Sequence, residues 1–363
     1  MINDEFYMDL ALNNAKAMKG QTDPNPLVGS VIVNDNRIVG VGTHLKAGEP
    51  HAEIHALRMA GEKAKGATIY VTLEPCSHHG RTGPCAEAIV KAGIKKAVIA
   101  TLDPNPIVAG NGVKILKDAG IEVKVGVRAK ESNKMNEVFN KYITEQKPFI
   151  TLKAGITLDG KVATHTFSSK WITSKESRED VHQLRSENMA ILVGIHTALK
   201  DDPALTSRIP NGRNPLRIVM DSRLRLPLNY QLVTDKQAPT WIFTSKNYDK
   251  EKKKQLEELG VRVIVTKSEN SVDPIEVVNT LGKKGISSLI IEGGGNIHAS
   301  FLKKKLVDKV ILYIAPKLVG GKDAPTFLEG KGIELMKDAI ELTDTGITTI
   351  GNDFKFIGYP SFK

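Results

Sequence analysis

One histidine, one glutamate and two cysteines carry the most specific chemistry in this sequence. His51 and Glu53 lie in the triplet HAE, and Cys76 and Cys85 each follow a proline. A catalytic zinc site takes three protein ligands from imidazole, thiolate or carboxylate and leaves a fourth position for water. His51, Cys76 and Cys85 supply that set, and Glu53 is a carboxylate two residues from the imidazole. The pattern H-x-E...P-C-x-x-C marks zinc deaminases of nitrogen heterocycles, where the glutamate is general acid/base and not a ligand. Zinc lowers the pKa of a bound water, and such a carboxylate can take its proton and pass it to the departing amine. The first half of the pattern is met in full; in the second the cysteines are nine positions apart, because a segment containing GRTG lengthens the loop. Two alternatives compete. Lone cysteines in a reducing compartment are most often small buried hydrophobes, and a closed structural zinc site would need His78 or His79 as a fourth ligand. HAE together with both Pro-Cys pairs favours the catalytic reading.

The elements around these residues can position them. Residues 4–19 carry apolar side chains at a helical period, with Asp4 able to cap. TDPNP breaks that helix, and VGSVIVNDNRIVGVGTH reads as a hairpin turning at Asn34-Asp35-Asn36. His51 then opens a helix, ATIYVTLEP is a strand that stops before Cys76, and Cys85 opens the next helix. Two helix N-termini facing the metal side favour thiolates. KKAVIATLDP, GVKILKDAG and IEVKVGV continue as strand, helix and strand, and ESNKMNEVFNKYITEQ closes the series as one helix. Such alternation makes a three-layer α/β domain with partly parallel pairing.

Lys147-Pro148 interrupts the pattern, which puts a boundary between residues 1–146 and 147–363. A second α/β series follows, with strands at 149–156, 190–195, 215–221, 239–244, 261–266, 287–292 and 308–315 and helices at 175–187, 249–259, 274–284 and 295–305. Strand SSLIIE runs into Gly293-Gly294-Gly295 and a helix near Asn296. Glycines and a helix N-terminus there suit a phosphate; a tight strand-to-helix turn explains the triplet equally well.

A chain of 363 residues is long for one core, so length alone points to two domains. The N-terminus lacks a signal-peptide pattern, and no run reaches the roughly 18 apolar residues of a membrane span. A cytoplasmic protein without a membrane partner is the expectation. The formal charge of +10 fits nucleic acid or phosphorylated small substrates. Basic residues are scattered, however, and runs such as Lys252–Lys254 and Lys303–Lys305 read as solvated helix faces. A deaminase of a base in RNA or DNA would need a basic stripe, so no nucleic-acid partner is expected.

TDPNPLVGSVIV, AGEPHAEIHAL, YVTLEPCSHHGRTGPC and LDPNPIVAGNG resemble the deaminase half of the bifunctional riboflavin biosynthesis deaminase/reductase family. TLKAGITLDGKVA, SKWITS, ILVGIHTALKDDPALT, LIIEGGGNIHASFL and YIAPKLVGG extend the resemblance through the second half. The long cysteine spacing is the family's own. The resemblance implies a cytidine-deaminase-like domain followed by a dihydrofolate-reductase-like α/β domain. It implies two cofactors, Zn2+ and NADPH, and two reactions: loss of the 2-amino group from 2,5-diamino-6-(5-phosphoribosylamino)pyrimidin-4-one, then reduction of the ribosyl group to ribityl. By motif, Asn25 and His44 would contact the pyrimidine, and Arg81, Asp103 and Asn105 the ribose phosphate. Gly155, Trp171, Thr197, Asp201, Ser222 and the run Gly294, Gly295, Asn296, Ile297, His298, Ala299, Ser300 would line the NADPH site. Lys153, Ser169, Arg185, Leu205, Arg208 and Glu292 would hold the second substrate, arginine suiting phosphate because its planar fork binds two oxygens at once. Lys153 is the candidate for a polar catalytic role in reduction; an edge-of-strand lysine with a solvated tip is the alternative. The family's assembly through its reductase domain implies a homo-oligomer.

Overall fold

Why His51, Cys76 and Cys85 meet follows from the first of two units, Met1–Gln146 and Lys147–Lys363, of the computed structural model, which describes residues 3–77, 83–105 and 109–362. Helix α1 (Asp4–Lys16) is capped by Asn3, whose side chain accepts from the Phe6 amide at 3.1 Å. Asp4 instead accepts from the Tyr70 hydroxyl and Lys124. Strands β1 (Gly29–Asn34) and β2 (Arg37–Thr43) form the hairpin, turned by Asp35 and Asn36 at φ 47° and 58°. Two consecutive left-handed residues match the twist of a tight hairpin. Then come α2 (Ala52–Ala60), β3 (Thr68–Val71), α3 (Cys85–Lys91), β4 (Lys96–Ile99), α4 (Asn111–Asp118), β5 (Glu122–Val125), α5 (Ala129–Met135) and α6 (Glu137–Glu145).

The sheet order is β2-β1-β3-β4-β5, antiparallel among the first three and parallel among the last three. Apolar residues of α2, α3 and α4 cover one face of it, and Tyr7, Met8, Ala11 and Leu12 of α1 cover the other. The closing helix is broken at Asn136, unlike the single helix expected. The buried Asn136 amide accepts from Leu27 N at 2.8 Å and donates to Leu27 O at 2.9 Å. This side chain pairs like a strand residue with the segment after Asn25, a tertiary contact that no helical period reveals.

The second unit runs β6 (Phe149–Thr157), α7 (Lys175–Glu187), β7 (Ala190–Gly194), α8 (Ile195–Asp201), β8 (Leu216–Met220), α9 (Gln231–Thr234), β9 (Thr240–Thr244), α10 (Lys250–Glu258), β10 (Arg262–Val265), α11 (Pro274–Lys283), β11 (Ser288–Ile291), α12 (Gly295–Lys303), β12 (Lys309–Ala315), β13 (Glu341–Ile350) and β14 (Asp353–Ser361). The nine strands are ordered β10-β9-β8-β7-β11-β6-β12-β14-β13. β10 through β12 pair in parallel, and the last two strands are antiparallel. Period-2 alternation sends Ile150, Leu152, Leu289 and Ile291 to the core beneath α11 and α12, and Ile191, Val193, Ile242 and Ile290 to the opposite core. The chain steps outward from β7 to β10 and returns to place β11 between β7 and β6. That reversal opens a crevice at the carboxyl ends of the strands, the usual ligand position in such sheets.

The β13–β14 hairpin was absent from the sequence expectation. Most of β13 is exposed on both faces, so its side chains show no inward apolar alternation. No helix among the described residues is long and apolar enough to cross a membrane.

Gly29 on β1 lies against α1 so closely that a Cβ there would fall 2.0 Å from the Ala11 carbonyl oxygen. Gly29→Ala is therefore expected to destabilise the first unit by about 1–3 kcal/mol, read from its denaturant midpoint.

Candidate active sites

In the first unit the ligand atoms of His51, Cys76 and Cys85 all lie within 4.8 Å of one another. His51 Nδ1 is 3.5 Å from Cys76 Sγ and 3.3 Å from Cys85 Sγ. A tetrahedral zinc with Zn–S of about 2.3 Å and Zn–N of about 2.0 Å sets S···N edges of roughly 3.5 Å, so the residues fit that ion. His51 sits at the N-terminus of α2, Cys76 beyond the end of β3, and Cys85 in the first turn of α3. The Cys85 amide donates to Cys76 Sγ at 3.3 Å, which places helix-terminal positive charge on that sulfur.

Electrostatics support the same fit. Hydrogen bonding from the Cys85 thiol, with His51 and the Cys85 amide, holds Cys76 well below the ordinary thiol value. Cys85, buried beside that sulfur, is pushed up. A cation held between the two sulfurs would favour the thiolate form of both. His51 is raised chiefly by its contact with Cys76. Glu53 is buried, which raises it to about 7 against the pull of His51, and its Oε2 has no hydrogen-bond partner among the described residues. An orphaned carboxylate oxygen beside three ligand atoms is what a general acid/base awaiting water and substrate would present.

His51, Glu53 and Cys76 line a cavity of about 320 Å³ together with Asn25, His44, Asp103 and Asn105. His44 Nδ1–H donates to the Pro50 carbonyl at 3.3 Å, leaving Nε2 to accept from Asn25 Nδ2 at 3.1 Å. That pair fixes one neutral tautomer, in line with the lowering of His44 by burial. Asp103 accepts from the Asn105 amide at 2.9 Å, which turns the loop toward the cavity. Arg81, His78 and His79 lie outside the described residues. Sequence reasoning missed Glu74. This buried carboxylate lines the same cavity and accepts from the amides of Asp103 (3.1 Å), Gly110 (3.0 Å) and Val113 (3.1 Å), tying the Asp103 loop and the start of α4 to the strand that delivers Cys76. It directly precedes the Pro-Cys pair, but nothing in its spacing announces backbone partners so far away.

In the second unit a cavity of about 480 Å³ is lined by Lys153, Gly155, Ser169, Trp171, Arg185, Asp201, Leu205 and Arg208. Glu292 stands against two of them. Arg185 donates to both of its oxygens at 2.8 Å, and Lys153 Nζ lies 3.5 Å from Oε2. Burial would raise Glu292, but Arg185 and Lys153 outweigh it and bring the carboxyl down to about 2. Burial lowers Lys153, with Glu292 opposing. The lysine is therefore a cavity group with a fixed counter-charge and not a solvated strand-edge side chain. The fork of Arg185 that suited a phosphate is spent on Glu292, and its Nη1 donates to the Thr206 carbonyl at 3.1 Å. Arg208 has no such partner among the described residues.

The remaining expected residues spread along the carboxyl edge of the sheet. Gly294 has φ 74°, and a Cβ on it would sit 3.5 Å from Thr197 Oγ1. A Cβ on Gly295 would fall 2.6 Å from Glu329 Cγ. The triplet is thus demanded by a left-handed turn and by close packing. Asn296 donates to Glu329 at 2.7 Å, His298 is buried with Nδ1 on the Phe327 carbonyl, Ser300 donates to Ile297 O, Ile297 packs beneath Gly194, and Ala299 faces Gly330. Ser222 accepts from the Val272 amide at 3.2 Å. Trp171 is exposed, with the Arg178 guanidinium 4.3 Å above its ring. Sequence reasoning also missed α7 as a lining element. Arg178, Val181, His182 and Arg185 recur at i, i+3, i+4 and i+7 and all face the cavity.

Replacing Glu292 leaves two cations close together with no counter-charge. Glu292→Gln is expected to cost about 3–5 kcal/mol in a denaturation experiment. Because the folded pKa is depressed, this contribution is present above the ordinary value of 4.5 and is lost as pH falls toward about 2; the variant should therefore lose the wild type's acid-limb slope in that window.

A family model for the RibD C-terminal domain matches residues 148–356, and one for the cytidine and deoxycytidylate deaminase zinc-binding region matches residues 1–101. The riboflavin biosynthesis protein RibD of Bacillus amyloliquefaciens is 47% identical over 358 residues, spanning 98% of this chain and 96% of its own. That of Escherichia coli K12 is 42% identical over 365 residues, spanning 97% and 98%. Among solved structures, Acinetobacter baumannii RibD superposes with a TM-score of 0.86 at 38% identity, over 99% of each chain. The diaminohydroxyphosphoribosylaminopyrimidine deaminase/5-amino-6-(5-phosphoribosylamino)uracil reductase of Thermotoga maritima does so with 0.84 at 35% identity, again over 99% of each. With its zinc-binding deaminase unit and its reductase unit both matched over nearly the whole length, the chain belongs to the RibD family of bifunctional riboflavin biosynthesis deaminase/reductases.

Proposed function

We propose that the first unit removes the 2-amino group of 2,5-diamino-6-(5-phosphoribosylamino)pyrimidin-4-one, and that the second reduces the resulting ribosylaminouracil phosphate to its ribityl form with NADPH. The observation that carries the first half is the buried Glu53 Oε2, without a hydrogen-bond partner among the described residues, beside the His51, Cys76 and Cys85 ligand set. Those three residues would hold zinc, which when bound supplies a water of lowered pKa. Glu53, with a pKa near the middle of the working range, takes a proton from the attacking water and returns it to the departing ammonia. The Asn25–His44 pair presents a fixed pattern of polar atoms to the pyrimidine edge, and Asp103 and Asn105 contact the ribosyl phosphate arm at the cavity mouth. Arg81 belongs to the same proposal by motif.

In the second unit, Gly155, Trp171, Thr197, Asp201, Ser222 and the turn from Gly294 to Ser300 are the proposed NADPH contacts, and NADPH supplies the hydride. Ser169, Arg185, Leu205, Arg208 and Glu292 frame the substrate, with Arg185 acting through Glu292 to orient Lys153. The charged Lys153 head is held by Glu292 at the cavity wall, where it can stabilise negative charge developing on the sugar oxygen.

The decisive variant is Glu53→Gln. It should keep zinc, measured by metal analysis, and lose ammonia release by at least about 100-fold, the scale of a general acid/base. NADPH oxidation on supplied 5-amino-6-(5-phosphoribosylamino)uracil should continue. Full deamination by a zinc-loaded Glu53→Gln protein would sink the assignment.

The family's homo-oligomeric assembly is proposed for this chain too. An exposed edge strand β13, with Ile347 67% exposed, gives it a place to form. Sedimentation velocity should show a species larger than 39.6 kDa, and a monomer at micromolar concentration would contradict it.

A further inference from the structure

The deaminase cavity has an apolar wall to which the zinc chemistry gives no task. Helix α6 contributes Phe139 and Ile143 to the lining, while the hydrogen-bonding groups there, such as Asn25, His44 and Asp103, come from other segments. Asn136, Phe139 and Ile143 are spaced i, i+3 and i+7, so they share one side of the helix and its start.

Asn136 aims that side. Its buried amide is bonded in both directions to the backbone of Leu27, whose chain neighbours Pro26 and Val28 line the same cavity. The break between α5 and α6 therefore serves the site: one side chain fixes both the segment after Asn25 and the helix that carries Phe139. Phe139 packs against the core beneath α2, α3 and α4 yet stays half-buried, and α6 buries none of its residues. A large aromatic side chain left part-covered at a cavity wall offers area that a ligand can cover. A pyrimidine has a polar edge and two apolar faces. Asn25 and His44 suit the edge, and a phenyl ring suits a face. Helix α6 also lies beyond residues 1–101, so this wall is not part of the matched zinc-binding region.

We propose that Phe139, with Ile143 one turn further on, forms the surface on which the pyrimidine ring of the deaminase substrate stacks. Phe139 is then a substrate-binding residue for deamination, and Asn136 the residue that positions it. The inference rests on the deaminase reading above and deepens it, assigning a face of the ring where that reading assigns only the edge and the ribosyl phosphate arm.

Ammonia release and NADPH oxidation give separate readouts in one zinc-loaded full-length protein, so damage to this wall can be told from damage to the whole chain. Phe139→Ala should raise KM for ammonia release from 2,5-diamino-6-(5-phosphoribosylamino)pyrimidin-4-one roughly ten-fold or more, the scale of one stack between a base and an aromatic side chain. kcat should hold within about three-fold, since stacking binds ground and transition state alike. Phe139→Tyr keeps the ring and should hold KM within about two-fold, whereas Phe139→Leu keeps apolar bulk without a π face and should raise it about three-fold or more. Zinc content, and NADPH oxidation on supplied 5-amino-6-(5-phosphoribosylamino)uracil, should match wild type in all three. A wild-type KM in Phe139→Ala overturns the proposal, because the wall then makes no contact; a wild-type KM in Phe139→Leu overturns it too, because bulk alone then suffices. Should Phe139→Ala lose zinc or NADPH oxidation, its fold has failed, and the volume-conserving Phe139→Leu decides by the same KM criterion. No ammonia from the wild type sinks the deaminase reading itself, and the stacking assignment with it.

Discussion

Two sulfurs and an imidazole nitrogen within 4.8 Å of one another, in a largely enclosed site, are the constraint on which the first unit depends. The protein supplies half of the answer itself. The α3 amide points at Cys76, and α2 brings His51 to the same point, so the helix termini favour a thiolate before any metal arrives. A zinc ion held by His51, Cys76 and Cys85 would supply the rest. Other features of the site follow from holding those three atoms in place. Glu74 fastens the loop of Asp103 and Asn105 to the segment carrying Cys76, and Asn136 fastens Leu27, two residues from Asn25. Both are buried side chains bonded to backbone amides, so the cavity walls are positioned through main chain and not through flexible contacts.

In the second unit the corresponding constraint is charge balance. Lys153 and Arg185 come together in one cavity wall because Glu292 lies between them, and its low pKa records how strongly they need it. The location of Glu292 follows from topology: it sits immediately after β11, the strand that returns to the middle of the sheet, next to the β6 strand that carries Lys153. The same return places the Gly294 turn against Thr197 of α8. One reversal of strand order thus gathers residues 153, 197 and 292–295, far apart in sequence, at one edge.

Much of this was legible in the residues. HAE and the two Pro-Cys pairs pointed to the three side chains whose ligand atoms the fold brings within 4.8 Å, because few side chains hold zinc and their placement at helix starts follows from local pattern. The strands from 149 to 315 were legible because buried parallel strands are continuous apolar runs bounded by turns. What escaped lacked a local signal. The helix break at Asn136 is caused by a partner more than a hundred residues away, and β13 is an exposed edge strand with no apolar period. Arg185 and Glu292 were both expected among the second-substrate residues from the resemblance, but nothing in the sequence shows that they pair with each other. His182 was within reach, since the stripe of residues 178, 181, 182 and 185 has helical spacing, but the sequence does not say that the stripe faces a cavity.

The central claim is that one chain carries two consecutive chemistries on one phosphoribosylated pyrimidine. Its most direct measurement follows ammonia and NADPH separately while the zinc-loaded protein turns over 2,5-diamino-6-(5-phosphoribosylamino)pyrimidin-4-one. Ammonia released without NADPH present, and one NADPH consumed per ammonia when it is supplied, is the expected result. No ammonia, or ammonia with no NADPH consumption, would contradict the account.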